Sequence, residues 1–196
     1  MKLIFVRHGE TEWNIKELVQ GHKDIPLNIK GMEQAEKVAI RLKSEPIDAI
    51  YSSDLRRARQ TAEAIAKFHS IPIRYDRLLR ERGFGKMEGM PAEDFRKARE
   101  CSGLPRHLYR PPGGENYSDL QKRVRRFLSE IKPRHPKENV LVVAHGGIIR
   151  TFIVTITKKS LENLHEIEQN NTAVNVIEIS RGLPAKVHYL NSTEHL

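Results

Sequence analysis

Short apolar runs alternate with amphipathic stretches along this chain, and this alternation limits the fold more than any other feature. Four runs have the length of strands, namely Leu3–Val6, Ile47–Tyr51, Ile71–Tyr75 and Val140–Ala144. Helical patterns separate most of them. Strands joined by helices form βαβ units, in which neighbouring strands run parallel. The sequence therefore predicts an α/β fold with a largely parallel sheet.

The helical patterns place apolar residues three and four positions apart. One helix is predicted to start after Asn28, a residue type that caps helices, and to turn Met32, Ala35, Ala39 and Leu42 inward. A second helix carries Leu55, Ala58, Ala62 and Ile65, and a third carries Leu120, Val124, Phe127, Leu128 and Ile131 and stops before Pro133. Residues 148–153 are apolar nearly all round and predict a buried helix. A short helix is expected at about 91–101, and two terminal strands around Arg181-Gly182.

Length and cysteine content favour one cytoplasmic domain. The chain has 196 residues, 38% of them hydrophobic and 30% charged, which is typical of a globular protein and argues against disorder. A single cysteine, Cys101, leaves no internal disulfide, so a reducing compartment is expected. The first residues lack the apolar stretch of a signal peptide, and no run is long enough to cross a membrane. We therefore expect no membrane partner.

The formal net charge of +9 has two interpretations. An excess of lysine and arginine is typical of nucleic-acid binders, and also of proteins with a pocket for small anions. Here the basic residues are spread along the chain, with no basic tail and no zinc-finger spacing. This distribution favours an anion pocket with a basic solvated surface, and the nucleic-acid interpretation rests on charge alone.

Reactive side chains follow two of the predicted strands. Arg7 and His8 come directly after the first strand, and His145 follows the strand at 140–144. Ligands of open parallel sheets bind at the carboxyl ends of the strands, so these residues should meet there. Ser52, Ser53 and several arginines lie at the start of the next helix, whose N-terminus favours anions. A metal is the rival occupant, but Arg7 would repel a cation and no third ligand stands at zinc-like spacing.

A resemblance to a known family adds more than spacing can. The matching blocks are Arg7-His8-Gly9-Glu10-Thr11 with Asn14, Gln20-Gly21, Pro26-Leu27, Gly31, Gln34-Ala35, Ser53-Asp54-Leu55, Arg57-Ala58, Gln60-Thr61-Ala62, Glu81 with Gly85, Glu88-Gly89, Pro112-Gly113-Gly114-Glu115 and His145-Gly146-Gly147. In this order, over nearly the whole chain, they resemble the histidine phosphatase superfamily, also called phosphoglycerate mutase-like. The resemblance implies a three-layer α/β/α sandwich with a mostly parallel central sheet. It also implies one domain over residues 1–196 with a substrate-specificity region at about 82–116.

The resemblance further implies a role for each site residue. His8 would attack phosphorus, and Arg7, Arg57 and His145 would hold the phosphoryl oxygens. Glu81 would protonate the leaving oxygen and later help to activate water. The substrate-contacting positions would be Arg7, Asn14, Gln20, Gly21, Arg57, Glu81, His145 and Gly146. Neither a metal nor a cofactor is implied.

The length of the loop between Glu81 and the Pro112 block helps to decide whether the chain is a phosphatase or a mutase. The resemblance implies that mutases carry a longer insertion there, which closes the pocket over a bisphosphate. Only about 30 residues fill this interval here, so we expect a phosphomonoester hydrolase acting on a small phosphorylated metabolite. Phosphoglycerate mutase activity is the alternative, and a scaffold or nucleic-acid-binding role is a more distant one. Arg106, His107 and Arg110 are candidates for binding a second acidic group or are solvated, and a homodimer is left open.

Overall fold

Six strands form a single sheet in the computed structural model, which describes residues 1–196. The strands are Lys2–Arg7 (β1), Ala49–Ser52 (β2), Ile73–Tyr75 (β3), Asn139–Ala144 (β4), Val174–Glu178 (β5) and Lys186–Ser192 (β6). The α-helices are Glu12–Ile15 (α1), Ile29–Leu42 (α2), Arg56–Ala66 (α3), Ala92–Cys101 (α4), Tyr117–Ile131 (α5) and Gly146–Ile156 (α6). Three short 3₁₀ turns complete the chain at Arg77–Leu79, Gly85–Met87 and Leu161–Glu166. No helix is both long and apolar enough to cross a membrane.

The strand order is β3-β2-β4-β1-β5-β6, and it brings the ends of three strands together. Strands β1 to β4 are parallel, whereas β5 pairs antiparallel with β1, and β6 pairs antiparallel with β5 at the edge of the sheet. In this register Arg7 lies opposite Ala144, and Val143 pairs with both Val6 and Ser52. The residues that follow β1, β4 and β2 therefore leave the sheet at one edge.

Two apolar layers cover the faces of the sheet. Leu3 and Phe5 of β1 point to the face covered by α5 and α6, and Ile4 and Val6 point to the face covered by α2 and α3. The Phe5 and Phe152 rings pack with their centroids 4.9 Å apart. Burying one such side chain contributes about 1.5–3 kcal/mol, so these layers supply most of the stability. The predicted three-layer α/β/α sandwich is confirmed.

Local sequence signals explain where two of these helices begin. The Asn28 side chain accepts a hydrogen bond from the Gly31 N–H at 2.7 Å, which caps α2. Asn116 and Asp119 form a reciprocal capping box at the start of α5. Helix α6 is apolar all round because it lies between the sheet and α5, as the sequence predicted.

Several predicted bounds are corrected by the structure. Strand β2 starts at Ala49 because the Asp48 carboxylate, rather than a strand carbonyl, accepts the Asn139 N–H. Strand β3 is limited to residues 73–75, since Pro72 has no N–H to donate to a ladder. Met32 was predicted inside but is 46% exposed, and Gly31 and Val38 are buried instead. A Cβ on Gly31 would lie 2.0 Å from the Glu10 carbonyl oxygen, so this glycine lets the loop after β1 pack closely on α2.

The predicted helix near 91–101 is present as α4, within an otherwise irregular segment, and it buries none of its residues fully. The two terminal strands are present as β5 and β6, which are paired antiparallel. Helix α1, which has only four residues, gave no apolar periodicity and was not predicted.

Candidate active site

A pocket of about 540 Å³ opens at the carboxyl ends of β1 and β4. It brings together residues that lie far apart in sequence. The predicted site residues that line it are Arg7, His8, Asn14, Gln20, Gly21, Arg57, Glu81 and Gly146. His145 lies beneath them with no exposed surface. The structure thus gathers every predicted site residue at one place.

His8 is nearly buried and its two ring nitrogens have different surroundings. Nδ1 lies 2.7 Å from the Gly9 carbonyl oxygen, which can only accept, so Nδ1 carries the proton of the neutral ring. Nε2 has no hydrogen-bond partner in the protein, and the ring lines the pocket. Burial, followed by the charges of Arg57 and Arg7, lowers the pKa of His8 well below 6.5. At neutral pH the ring therefore presents an unprotonated Nε2.

Arg57 has no exposed surface, and three acceptors of the protein hold its guanidinium. Its Nε donates to His145 Nδ1 at 3.1 Å, and its two terminal nitrogens donate to the Lys23 and Gly21 carbonyls at 2.7 and 2.8 Å. A guanidinium has five N–H groups, so two stay available to a ligand. Burial lowers the pKa of Arg57 to about 10, with Glu81 opposing the shift, and the side chain stays charged.

Arg7 is the second cation beside His8, and its side chain is partly buried. One terminal nitrogen donates to the Gln169 carbonyl, and Nε is buried with no partner. Burial and the nearby charge of Arg150 lower the pKa of Arg7 to about 10. An unpartnered donor at this depth is costly unless a ligand accepts from it. Arg7 and Arg57 together make the pocket floor a site for an anion.

His145 has a protein partner at each ring nitrogen. Because the Arg57 guanidinium can only donate, His145 Nδ1 is the acceptor and Nε2 carries the proton, which it donates to Ser53 Oγ at 2.9 Å. Burial and the charge of Arg57 lower its pKa well below 6.5, so the ring is neutral. Its centroid lies 5.2 Å from that of His8. His145 therefore orients Arg57, and a direct contact with phosphate requires Nε2 to leave Ser53.

Glu81 lies at the amino end of α6. Its carboxylate accepts from the Gly147 N–H at 2.9 Å and from the Arg82 N–H at 2.8 Å. A Cβ at Gly147 would lie 2.4 Å from Glu81 Oε1, so only glycine admits the carboxylate there. The Glu81 carbonyl accepts from Arg123 at 3.0 Å and from His22 at 2.8 Å, which fixes the backbone. Glu81 thus holds its carboxylate in a fixed position at the pocket wall.

The smaller predicted residues also face the pocket. The Asn14 oxygen accepts from the Thr11 N–H and hydroxyl at 3.1 and 3.0 Å, which leaves its amide NH₂ as the group able to reach a ligand. Gln20 Oε1 is buried without a partner. Gly21 has φ +51°, and a Cβ there would lie 2.2 Å from a Glu88 oxygen.

Sequence reasoning missed several residues that build the site. The sequence placed Ser53 correctly, at the carboxyl ends of the strands, but gave it no role. Asn171 donates to the His8 carbonyl at 3.0 Å, and Gln169 receives Arg7 on its backbone oxygen. Contacts to a backbone carbonyl have no signature in sequence, because any residue type supplies that oxygen.

The arginines at the pocket rim differ in part from those predicted. Arg106 lines the pocket, but His107 does not, and Arg110 forms an ion pair with Asp119. Four other arginines line the pocket without having been predicted, namely Arg82, Arg96, Arg99 and Arg150. For Arg82 a signal existed, since it directly follows Glu81.

No cluster of three or more His, Cys, Asp or Glu side chains is close enough to hold a metal ion. The donors around His8 and His145 are arginines, a serine and backbone groups, and guanidinium groups repel cations. The donor set suits an anion.

Comparisons with known proteins agree with this geometry. The family model described as histidine phosphatase superfamily, branch 1, matches residues 3–192. A phosphoglycerate mutase-like protein of Arabidopsis thaliana is 36% identical over all of this chain and 86% of its own length. A metal-independent phosphoserine phosphatase from the same plant is 36% identical over 91% of this chain and 76% of its own.

A solved structure extends the likeness to three dimensions. The mycobacterial glucosyl-3-phosphoglycerate phosphatase in complex with VO3 has a TM-score of 0.89 at 26% identity, over 98% of this chain and 99% of its own. A family match over nearly the whole length, close relatives and the same fold agree with one another. The chain belongs to the histidine phosphatase superfamily, branch 1.

Proposed function

We propose that this protein hydrolyses phosphomonoesters of small metabolites through a phosphohistidine at His8. The observation that carries the proposal is the neutral His8 ring, whose Nδ1–H is held by the Gly9 carbonyl while Nε2 faces a pocket with Arg7 and Arg57. An unprotonated imidazole nitrogen beside two fixed cations is suited to attack on a dianion that would otherwise repel a nucleophile.

In the first step His8 Nε2 attacks phosphorus and forms a P–N bond. The bond between phosphorus and the ester oxygen breaks, and its electron pair leaves with that oxygen, which takes a proton from Glu81. Arg7 and Arg57 offset the charge on the transferring oxygens, since both guanidinium groups keep N–H donors available. His145 Nε2 exchanges Ser53 for a phosphoryl oxygen, while its Nδ1 keeps Arg57 in place.

In the second step water attacks the phosphohistidine. Glu81, now a carboxylate, accepts the proton of the water as the new P–O bond forms. The P–N bond breaks, its electron pair returns to His8 Nε2, and inorganic phosphate leaves. Asn14, Gln20, Gly21 and Gly146 contact the substrate around this centre. The arginines supply the charge that a metal would otherwise provide, so no metal or cofactor is required.

The relatives support a phosphatase of this kind, because they include a phosphoserine phosphatase named as metal-independent. We propose that residues 1–196 act as one domain in which residues 82–116 set specificity. The exposed thiol of Cys101 suits a reducing cytoplasm, and neither nucleic acid nor a membrane is expected as a partner. The homodimer stays a prediction.

Mutase activity is the second candidate, because one relative is named phosphoglycerate mutase-like. A mutase returns the phosphoryl group to the same carbon skeleton, whereas a phosphatase passes it to water. The short segment between Glu81 and Pro112 favours water, as a longer insertion would be needed to shield the phosphohistidine. Measuring isomerisation of phosphoglycerate beside phosphate release separates the two activities.

The test is phosphate release from a panel of phosphorylated metabolites, with and without EDTA. We expect at least one member to be hydrolysed at the same rate in both, and vanadate to inhibit because it mimics a transferring phosphoryl group. The variant His8→Ala should have no turnover, and circular dichroism should show that it is folded. EDTA-sensitive activity that zinc or manganese restores would overturn the proposal and make His8 and His145 ligands.

A further inference from the structure

The loop that precedes β5 holds the backbone of the proposed nucleophile. The Asn171 side chain donates to the His8 carbonyl at 3.0 Å, and the Thr172 N–H reaches the same oxygen at 3.3 Å. The N–H of that same peptide group belongs to Gly9 and donates to the Thr61 hydroxyl at 3.1 Å. Because the Gly9 carbonyl in turn holds His8 Nδ1, the orientation of this peptide group sets the direction of the His8 ring.

Thr172 keeps this loop in an unusual backbone conformation. Its φ is +54° and it has no exposed surface. A β-branched residue is strained in the left-handed region, and such strain persists only where the surroundings hold it. The Thr172 hydroxyl donates to the Asn171 carbonyl at 2.8 Å and lies 3.1 Å from His195 Nε2. The hydroxyl is therefore the handle by which the rest of the protein holds the loop.

The hydrogen bonds of His195 have a fixed direction. Arg41 Nη1 lies 3.2 Å from His195 Nδ1, and since a guanidinium can only donate, Nδ1 accepts and Nε2 carries the proton. Burial and the charge of Arg41 lower the pKa of His195 to about 4, so the ring is neutral at neutral pH. Donation thus runs in one chain from Arg41 through His195, Thr172 and Asn171 to the His8 carbonyl.

The end of β6 fixes the start of this chain. Arg41 on α2 donates to the Ser192 carbonyl at 3.3 Å and to the Ser192 hydroxyl at 2.9 Å. A second link leaves the same strand, because Asn191 Oδ1 accepts the Asn170 N–H of the loop at 2.7 Å. Neither Arg41 nor His195 lines the pocket, so neither can contact the substrate.

We propose that His195, held by Arg41, is a positioning residue that acts through Thr172 to keep His8 Nε2 aimed at phosphorus. This rests on the proposed function and deepens it. Without the His195 bond the strained Thr172 can relax, and the loop then releases the His8 carbonyl. A misplacement of about 1 Å between reacting atoms can cost about 10²-fold in rate, so a remote contact of this kind has a measurable effect on catalysis.

The experiment measures a single turnover of p-nitrophenyl phosphate with enzyme in excess, in which release of nitrophenolate reports phosphoryl transfer to His8. In His195→Leu the maximal rate should fall about 10-fold or more. The half-saturating concentration should stay nearly unchanged, because the carbonyls that hold Arg57 lie outside this loop. His195→Gln should restore most of the rate, since its amide can still donate to Thr172.

Three further variants separate positioning from stability. Arg41→Met keeps an apolar chain near the Tyr189 ring but cannot donate to His195, so it should also slow the turnover. The control Asp48→Ala removes the acceptor of the Asn139 N–H at the opposite end of the sheet. It should lower the free energy of unfolding and leave the rate unchanged.

The third variant, Thr172→Gly, tests whether His195 acts through this residue. Glycine adopts a φ of +54° without strain and carries no hydroxyl. In that background His195→Leu should therefore have little further effect on the rate, whereas independent contributions would be additive.

A wild-type rate in folded His195→Leu and Arg41→Met would overturn the inference. So would a His195→Gln variant as slow as His195→Leu, an equal fall in Asp48→Ala, or an undiminished effect of His195→Leu beside Thr172→Gly.

Failure of the proposed function is a different result, because then the wild-type protein releases no nitrophenolate at all. The ¹H NMR signal of the His8 Nδ1–H then decides whether His195 positions the ring. The signal should be the same in wild type and His195→Gln and be shifted or lost in His195→Leu. An unchanged signal in His195→Leu would overturn the inference.

Discussion

The tautomer of His8 decides which of its ring nitrogens can attack phosphorus. The Gly9 carbonyl fixes the proton on Nδ1, and burial beside Arg57 and Arg7 keeps Nε2 unprotonated. Sequence identified His8, Arg57 and Glu81 because family motifs contain them. It could not assign Ser53 its contact with His145, and it could not identify Asn171 or the unpartnered nitrogens of Arg82, since these depend on how distant loops meet.

The lowered pKa of His8 predicts a dependence of stability on pH. A histidine whose pKa falls on folding costs no stability above pH 6.5, its ordinary pKa, because it is then neutral in both the folded and the unfolded protein. Below that pH the unfolded chain binds a proton that the folded chain does not, so the free energy of unfolding decreases. One such histidine costs about 1.4 kcal/mol at pH 5.5. Between pH 7.5 and 5.5 the free energy of unfolding, measured with denaturant, should therefore decrease by about 1.4 kcal/mol less in His8→Gln than in wild type. Equal decreases in the two proteins would contradict the assignment.

Glu81→Gln should separate substrates by the basicity of their leaving oxygen. Glutamine can still accept a backbone hydrogen bond at α6 but cannot donate a proton as an acid. Alkyl phosphates should lose roughly 10²- to 10⁴-fold in kcat, which is the usual contribution of a general acid. The loss with p-nitrophenyl phosphate should be far smaller, because its leaving group departs without a proton. Similar losses on both substrates would assign Glu81 a different role.

At the scale of elements, strand ends and helix starts determine where the reactive groups lie. Parallel β1, β4 and β2 end at one edge, and α6 begins beside them with Gly147 against Glu81. The sequence predicted these strands and most helices because apolar periodicity reports burial directly. Met32 was misplaced because the close approach of the Glu10 backbone to Gly31 selects the buried face of α2, and no periodicity records such an approach.

Gly147→Ala tests the link between α6 and the acid. The added methyl group would lie 2.4 Å from Glu81 Oε1 and must displace the carboxylate from the helix start. Turnover of alkyl phosphates should fall as in Glu81→Gln, while the circular dichroism spectrum keeps its helical shape. The matched control is Gly83→Ala, whose methyl group would meet its nearest neighbour at an ordinary 3.5 Å. Equal kinetics for the two variants would contradict the positioning role of Gly147.

At the scale of the whole molecule, the net charge of +9 has a local meaning. Seven of the arginines line one pocket, although their positions are spread along the sequence from residue 7 to residue 150. The fold concentrates them because the loop around Arg82, helix α4 and the sheet edge face one cavity. Composition therefore predicted an anion pocket, while its position and the set of arginines that line it required the tertiary structure.

The central claim is that phosphorus is transferred to His8, and trapping the phosphoenzyme tests it most directly. Wild-type protein is mixed with a ³²P-labelled substrate from the panel, quenched in alkali within milliseconds, and digested for mass spectrometry. We predict one label per chain, on His8, stable in base and lost in acid, and absent from His8→Ala. An acid-stable label, or a label on any other residue, would contradict the account.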